Sequence, residues 1–306
     1  VRALTAALLL LSACVDEPTR YLPAPAKAAP QASADFTPPA GFTELRIGLV
    51  PYISPEDLKA AHAPLAAYLQ EKLKVPVRLV MGDNYDDVAA KMEKGEIDLA
   101  EFSPYAYVRA EKHLKLRPLV TAISDGSETS AGYILVRDDS PRKALADLKG
   151  ASFGFVDPAS TTGYLYPLKL LKDRGLDPAT LFSRTELLGN HEAVLLAVLS
   201  GKVDAGATYQ GSMAALKRNK GIDPLSFRII AKTPRTPRDL FVVKADYPDA
   251  IVEGILQSLV VLTSRSGRGR EVLAPLSING FSPANDRLYD GVRSAAAELA
   301  GLELGK

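Results

Sequence analysis

The stretch Phe155-Val156-Asp157-Pro158-Ala159-Ser160-Thr161-Thr162-Gly163-Tyr164 carries most of the information in this chain. A β-like apolar run ends, a turn-forming Asp-Pro pair follows, three hydroxyl residues stand in a row, and a helical pattern begins. The first amides of a helix have no intrahelical acceptor, and the helix dipole is positive at that end. An anion placed there gains those amides together with hydroxyl donors from Ser160, Thr161 and Thr162. One such hydroxyl also suits an ordinary N-cap, but three in succession exceed what capping needs. Gly163 is expected to keep the approach free of a side chain.

Outward from this corner the pattern is a series of βαβ units. Upstream, strands are expected over Leu45–Val50, Val77–Val80, Ile97–Ala100 and Leu119–Ile123. Helices over Pro55–Lys74, Tyr85–Lys94 and Tyr105–Lys112 separate them. The series restarts with strands at Ala151–Val156, Thr185–Leu188, Val203–Thr208 and Phe227–Ala231 and helices at Gly163–Arg174, His191–Ser200 and Gly211–Asn219. Gly95-Glu96-Ile97-Asp98 and Gly201-Lys202-Val203-Asp204 occupy matching places about a hundred residues apart, which suggests two similar α/β lobes. The expected division is residues 44–132 with 240–306 as one lobe and 133–239 as the other. Tyr133–Val136 and Leu240–Val243 would be hinge strands, and the helical stretches Asp249–Thr263 and Asp286–Ala300 would pack back on the first lobe. Two such lobes face each other across a cleft at the carboxyl ends of their strands, the usual ligand position in open α/β sheets.

Other candidates cluster at predicted strand ends. Ser103, followed by Pro104 and Tyr105, opens a helix and fits either a cap or a donor to the ligand. Tyr52 follows the first strand and can donate its phenol proton or lie half-buried against the next helix. His191 opens a helix after Gly189-Asn190 and is expected to donate to an anion in either charge state, unless it is a plain cap. Asp204 and Tyr209 border a further strand; the carboxylate would accept a ligand proton or amine, or else form a structural ion pair.

The chain of 306 residues has a formal net charge of +1, so no nucleic-acid footprint is expected and any anion must be held by local geometry. HExxH, P-loop and GxSxG motifs are absent, and the three histidines (62, 113, 191) give no metal-ligand cluster. Neither enzymatic chemistry nor a cofactor is expected. Arg2, the apolar run Ala3–Leu11 and the ending Leu11-Ser12-Ala13-Cys14 read as a signal stretch, too short to span a bilayer, and the ending resembles the lipobox of bacterial lipoproteins. Cys14, the only cysteine, would then be the lipidated N-terminus, and the Pro- and Ala-rich residues 15–43 a tether. A clamshell needs no second copy to close, so a monomer is expected.

The ordered set Arg46–Leu58, Asp98–Val108, Asp157–Tyr164, Gly189–Ala193, Gly201–Asp204 and Gly280–Pro283 resembles the PhnD-like substrate-binding proteins of phosphate, phosphite and phosphonate importers over residues 45–295. The resemblance implies a type II periplasmic-binding-protein fold that hinges shut on its ligand and delivers it to an ABC permease in the membrane. It implies that Ser160, Thr161 and Thr162 hold the phosphorus oxygens, with Tyr52, Ser103, Tyr105 and His191 nearby. It also implies that Asp204 stands where members binding aminophosphonates use acidic groups. Glu101 and Asn190 depart from the family pattern. A sensor subunit serving a membrane kinase, or a receptor for another small solute, would use the same body.

Overall fold

The computed structural model describes residues 36–302, so the apolar stretch, Cys14 and most of the Pro-rich segment lie outside the described residues. The first series gives β1 (Leu45–Leu49), α1 (Pro55–Leu73), β2 (Val77–Met81), α2 (Tyr85–Glu93), β3 (Leu99–Phe102), α3 (Pro104–Ala110) and β4 (Leu116–Ile123). After β5 (Thr129–Arg137), the second gives β6 (Ser152–Phe155), a π-helical turn (Thr161–Leu165) running into α4 (Tyr166–Asp173), α5 (Pro178–Leu181), β7 (Arg184–Leu187), α6 (His191–Leu199), β8 (Ala205–Tyr209) and α7 (Gln210–Lys220). The chain closes with β9 (Phe227–Pro237), β10 (Leu240–Lys244), α8 (Asp249–Val260), α9 (Gly267–Leu273), β11 (Gly280–Pro283) and α10 (Asp290–Glu298).

Two sheets result, ordered β11-β4-β10-β3-β1-β2 and β7-β6-β8-β5-β9. Without the edge strand β11 they have the same plan: three parallel strands, then two antiparallel ones. The antiparallel neighbour of the parallel set is, in each lobe, a strand beside a crossing of the chain: β10 on return to the first lobe, β5 on entry to the second.

The expected hinge strands therefore lie inside the sheets and are not the segments that cross between the lobes. Tyr133–Val136 lies inside β5, between β8 and β9, and Leu240–Val243 lies inside β10, between β4 and β3. The crossings are the short segments 124–128 and 238–239, bonded to each other and to the strands beside them, with the Arg238 amide donating to the Glu128 carbonyl at 2.8 Å. At Asp125 and Gly126 both φ angles are positive, 52° and 71°, and Ser124 and Ser127 exchange backbone bonds around them. That geometry is a two-residue hairpin turn, which favours Asp-Gly.

The Gly-x-x-Asp repeat has a structural role in both lobes. Asp98 accepts from the Arg46 amide and Asp204 from the Ser152 amide, each at 2.8 Å, locking the starts of neighbouring parallel strands together. Arg46 and Arg142 complete the respective ion pairs. Asp204 therefore sits at the amino ends of the strands, away from the cleft, and the expectation that it faces ligand is corrected: its carboxylate is occupied by Ser152 and Arg142. α8 packs on the first lobe as expected, but α10 reaches both lobes, since Glu298 pairs with Lys169 of α4 at 2.7 Å.

Asp98→Ala and Asp204→Ala are each expected to cost about 1.5–3 kcal/mol, the scale of hydrogen bonds to a charged group. Urea unfolding followed by circular dichroism checks this.

Candidate functional site

The cleft between the sheets has a volume of about 590 Å³. Tyr52, Ser103, Ser160, Thr161, Thr162, His191 and Tyr209 all line it, so the structure brings these candidates from both lobes together. Tyr105 enters differently: its backbone amide donates to Thr161 Oγ1 at 2.8 Å, while its ring lies under the Arg109 guanidinium. It fastens one lobe to the other and is not among the residues lining the cleft.

The helix start is built by an irregular turn. Pro167 has no amide to give the Gly163 carbonyl four residues back, and the Val156 amide takes that carbonyl at 3.1 Å instead. The turn widens, and Leu165 bonds the Ser160 carbonyl five residues back. Ser160 caps it, its Oγ accepting from the Gly163 amide at 3.1 Å. A Cβ on Gly163 would lie 2.6 Å from Val156 Cβ, so glycine is required for packing on the end of β6, not to clear a path for an anion.

Counting hydroxyl protons separates the candidates. Ser103 donates to the Ala159 carbonyl across the lobes at 3.1 Å and accepts from the Ala106 amide, so its one proton is committed. Thr161 accepts from Tyr105 and keeps its proton to donate. Burial raises the phenols of Tyr52, Tyr85 and Tyr209, with the nearby Glu101 adding to the effect at Tyr52, so all three remain proton donors. The cleft lining also includes Tyr85, beside Ser160, which sequence reasoning missed although it opens a helix directly after a strand.

His191 differs from expectation. Ser212 Oγ donates to the Tyr209 carbonyl at 2.8 Å, so Thr208 must donate to Ser212 at 2.6 Å. Thr208 Oγ1 then accepts from His191 Nδ1 at 3.2 Å. Burial lowers the His191 pKa to about 3, which keeps the ring neutral. With the single proton on Nδ1, Nε2 is a lone-pair acceptor. In the neutral state His191 cannot donate to an anion through Nε2; it can accept from a ligand that carries a proton.

The floor holds charges that the sequence left unassigned. Burial pulls the His62 pKa down, but attraction to Glu101 and hydrogen bonds to Glu101 and Leu58 outweigh it and raise the pKa. His62 Nδ1 meets the Leu58 carbonyl at 2.9 Å and Nε2 meets Glu101 at 2.8 Å, the geometry of an imidazolium-carboxylate pair. Asp239, at the second crossing, has its pKa raised to about 7 by burial and by Glu101. At the mouth, Arg218, Lys232, Arg235 and Arg238 line the cleft. Among the described residues no group of three or more His, Cys, Asp or Glu is placed to hold a metal ion, and no helix is long and apolar enough to cross a membrane.

Known proteins share this architecture. The chain is 28% identical to the phosphate-import protein PhnD of Mycolicibacterium smegmatis, covering 83% of this chain and 85% of that protein. The crystal structure of a binding protein component of an ABC phosphonate transporter from Pseudomonas aeruginosa superposes with a TM-score of 0.77 at 22% identity, over 83% of this chain and 85% of that one. PhnD1 of Prochlorococcus marinus, solved in complex with methylphosphonate, gives a TM-score of 0.76 at 20% identity, over 84% and 98%. The type II binding-protein fold is thereby shown, and a family model described as the periplasmic substrate-binding protein of phosphonate ABC transporters matches residues 47–289. With most of its length inside that match, the chain belongs to this family of ABC-importer binding proteins, which capture solutes and are not enzymes.

Proposed function

We propose that the cleft captures a phosphorus oxyanion that retains a proton: phosphate, phosphite or a phosphonate in its monoprotonated form. The observation that carries this reading is the open helix start, where Thr161 and Thr162 line the same cleft as three protonated phenols. Phosphorus oxygens there accept from the first helix amides and from the Thr161 and Thr162 hydroxyls. His191 Nε2 accepts the remaining P–OH proton. Sulfate, with no proton at neutral pH, leaves that acceptor facing an oxygen lone pair. The M. smegmatis relative named for phosphate import and the P. marinus protein with bound methylphosphonate support the choice of phosphorus.

Interlobe bonds make ligand capture and closure one event. Ser103 reaches Ala159, Tyr105 reaches Thr161, and the His191 amide reaches the Tyr52 carbonyl at 3.0 Å. Ligand favours this arrangement because only the closed cleft offers both donor sets away from water. The reading includes lipidation of Cys14 and a monomeric state, on the strength of the lipobox-like Leu11–Cys14 and the self-contained cleft. Metabolic labelling with a fatty acid, lost in Cys14→Ser, tests the anchor.

Calorimetric titration of ligand-free protein with phosphate, phosphite and methylphosphonate tests the site. Thr162→Val is expected to weaken the bound oxyanion about 10–100-fold with little change in Tm. Asp204→Ala is expected to leave affinity unchanged while lowering Tm. No heat with any of the three anions contradicts the proposal.

Asp239 adds a pH dependence. Its folded pKa, about 7, lies above the ordinary carboxyl value, so the folded state holds a proton that the unfolded chain has released. Stability from this group is therefore full below about pH 4, declines as pH rises towards 7 and is lost above it. Asp239→Asn is expected to raise Tm at pH 8, by about 2–4 °C for each kcal/mol recovered, with no difference near pH 4. The carboxylate formed above pH 7 repels an anion in the same cleft, so oxyanion affinity is expected to fall there and to fall less in Asp239→Asn. Melting curves and titrations across pH 4–9 check both.

A further inference from the structure

The mouth of the cleft is unlike its interior. Arg218 donates to Ser277 Oγ and the Pro275 carbonyl, each at 3.1 Å. Arg235 donates to Ser127 Oγ, Thr129 Oγ1 and the Thr129 carbonyl. Arg238 donates to the Ser127 carbonyl, and Lys232 lies over the Tyr133 ring. Every one of these partners is neutral. Elsewhere Arg46, Arg109 and Arg293 each hold a carboxylate at 2.6 Å, so the basic side chains of this protein pair with carboxylates where they are within reach. Of the acids lining the cleft, Asp125 stands at the mouth and Glu101 and Asp239 lie deeper in, with Asp125 and Asp239 acting on Arg238. Four cations thus share one opening with a single carboxylate at its edge.

The mouth and the hydroxyl cradle line one cleft. Gly132 of β5 lies against the Thr162 backbone, where an added Cβ would come within 2.9 Å of the Thr162 carbonyl. On the neighbouring β9, Arg235 is the register partner of Ala131 and Lys232 of Tyr133. Side chains alternate faces along a strand, so Ala131 and Tyr133, and with them Arg235 and Lys232, leave the face of β5 opposite the one that Gly132 turns to Thr162, and residues of both faces line the cleft. The cleft lining also has an apolar part, Ala131 and Ala214 from the second lobe and Leu276 and Ile278 from the first. The volume of about 590 Å³ belongs to the range used for ligands of drug size, far more than the five non-hydrogen atoms of methylphosphonate fill.

We propose that the cleft mouth is a second anion subsite, and that the ligand is a phosphonate or phosphate ester whose short carbon linker joins the phosphorus group to a second anionic group held by Lys232 and Arg235. This rests on the cradle reading above and extends it to the rest of the molecule bound. The cradle takes the phosphorus group, the apolar wall takes the linker, and charge-assisted bonds at the mouth take the second anion. Steering alone would also draw anions to a basic mouth, but it favours every anion and acts on the association rate.

The test is calorimetric titration of the full chain, stripped of ligand, with methylphosphonate, propylphosphonate and phosphonocarboxylates of one to four methylenes. At least one phosphonocarboxylate is expected to bind about tenfold or more tightly than propylphosphonate. That advantage is expected to vanish in the double variant Lys232→Gln, Arg235→Gln, with methylphosphonate affinity kept within about twofold. Phosphonocarboxylates binding no tighter than propylphosphonate overturn the subsite, as does a double variant that weakens methylphosphonate by the same factor. Failure of methylphosphonate and of every longer compound to bind overturns the cradle reading itself and this proposal with it, a distinct outcome.

Discussion

The supply of hydrogen-bonding protons where the two lobes meet constrains the rest of the site. A buried oxyanion needs several donors, and each hydroxyl has one proton to give. Ser103 commits its proton to the opposite lobe, Ser212 to the Tyr209 carbonyl and Thr208 to Ser212. The protons left for a ligand are those of the helix start and of the raised phenols. The chain Ser212–Thr208–His191 reverses the polarity expected of the histidine, so a site built mainly of donors contains one acceptor. On the proposed reading this combination discriminates a proton-bearing oxyanion from one without a proton, with no charged side chain required against the phosphorus group.

Closure follows from the same geometry. The interlobe contacts at the cleft are individually modest: a hydroxyl to a carbonyl, an amide to a hydroxyl, an amide to a carbonyl. None is a buried ion pair whose opening would strand a charge. Such contacts part readily in water and strengthen once an anion lies among them, which suits a receptor that must both close on its ligand and release it to a permease. The Arg218 contacts at the mouth and the Glu298–Lys169 pair behind are exposed and more easily exchanged for water.

The two-lobe α/β plan was legible because apolar runs alternate with amphipathic ones, a local property. The hydroxyl run Ser160–Thr162 was legible for the same reason, since strand, cap and helix are contiguous in sequence. Whatever depended on distant pairing was not. Asp204 looked like a cleft residue because spacing does not say at which end of a strand a carboxylate lies; only its bond to Ser152, 52 residues away, decides that. That Tyr133–Val136 and Leu240–Val243 lie inside the two sheets, and not between the lobes, is likewise set by non-local partners. The His62–Glu101 pair joins residues 39 apart. Gly163 was correctly singled out but for the wrong contact, since the constraint comes from Val156 beneath it.

The most direct test is a crystal structure of the protein grown with methylphosphonate, refined at a resolution that separates the three phosphorus oxygens. The account predicts the phosphorus group at the start of the Thr161 helix, with oxygens in hydrogen-bond range of the Thr161 and Thr162 donors and one oxygen facing His191 Nε2. A phosphorus group lodged among the cations of the mouth, with only water at the helix start, would contradict it.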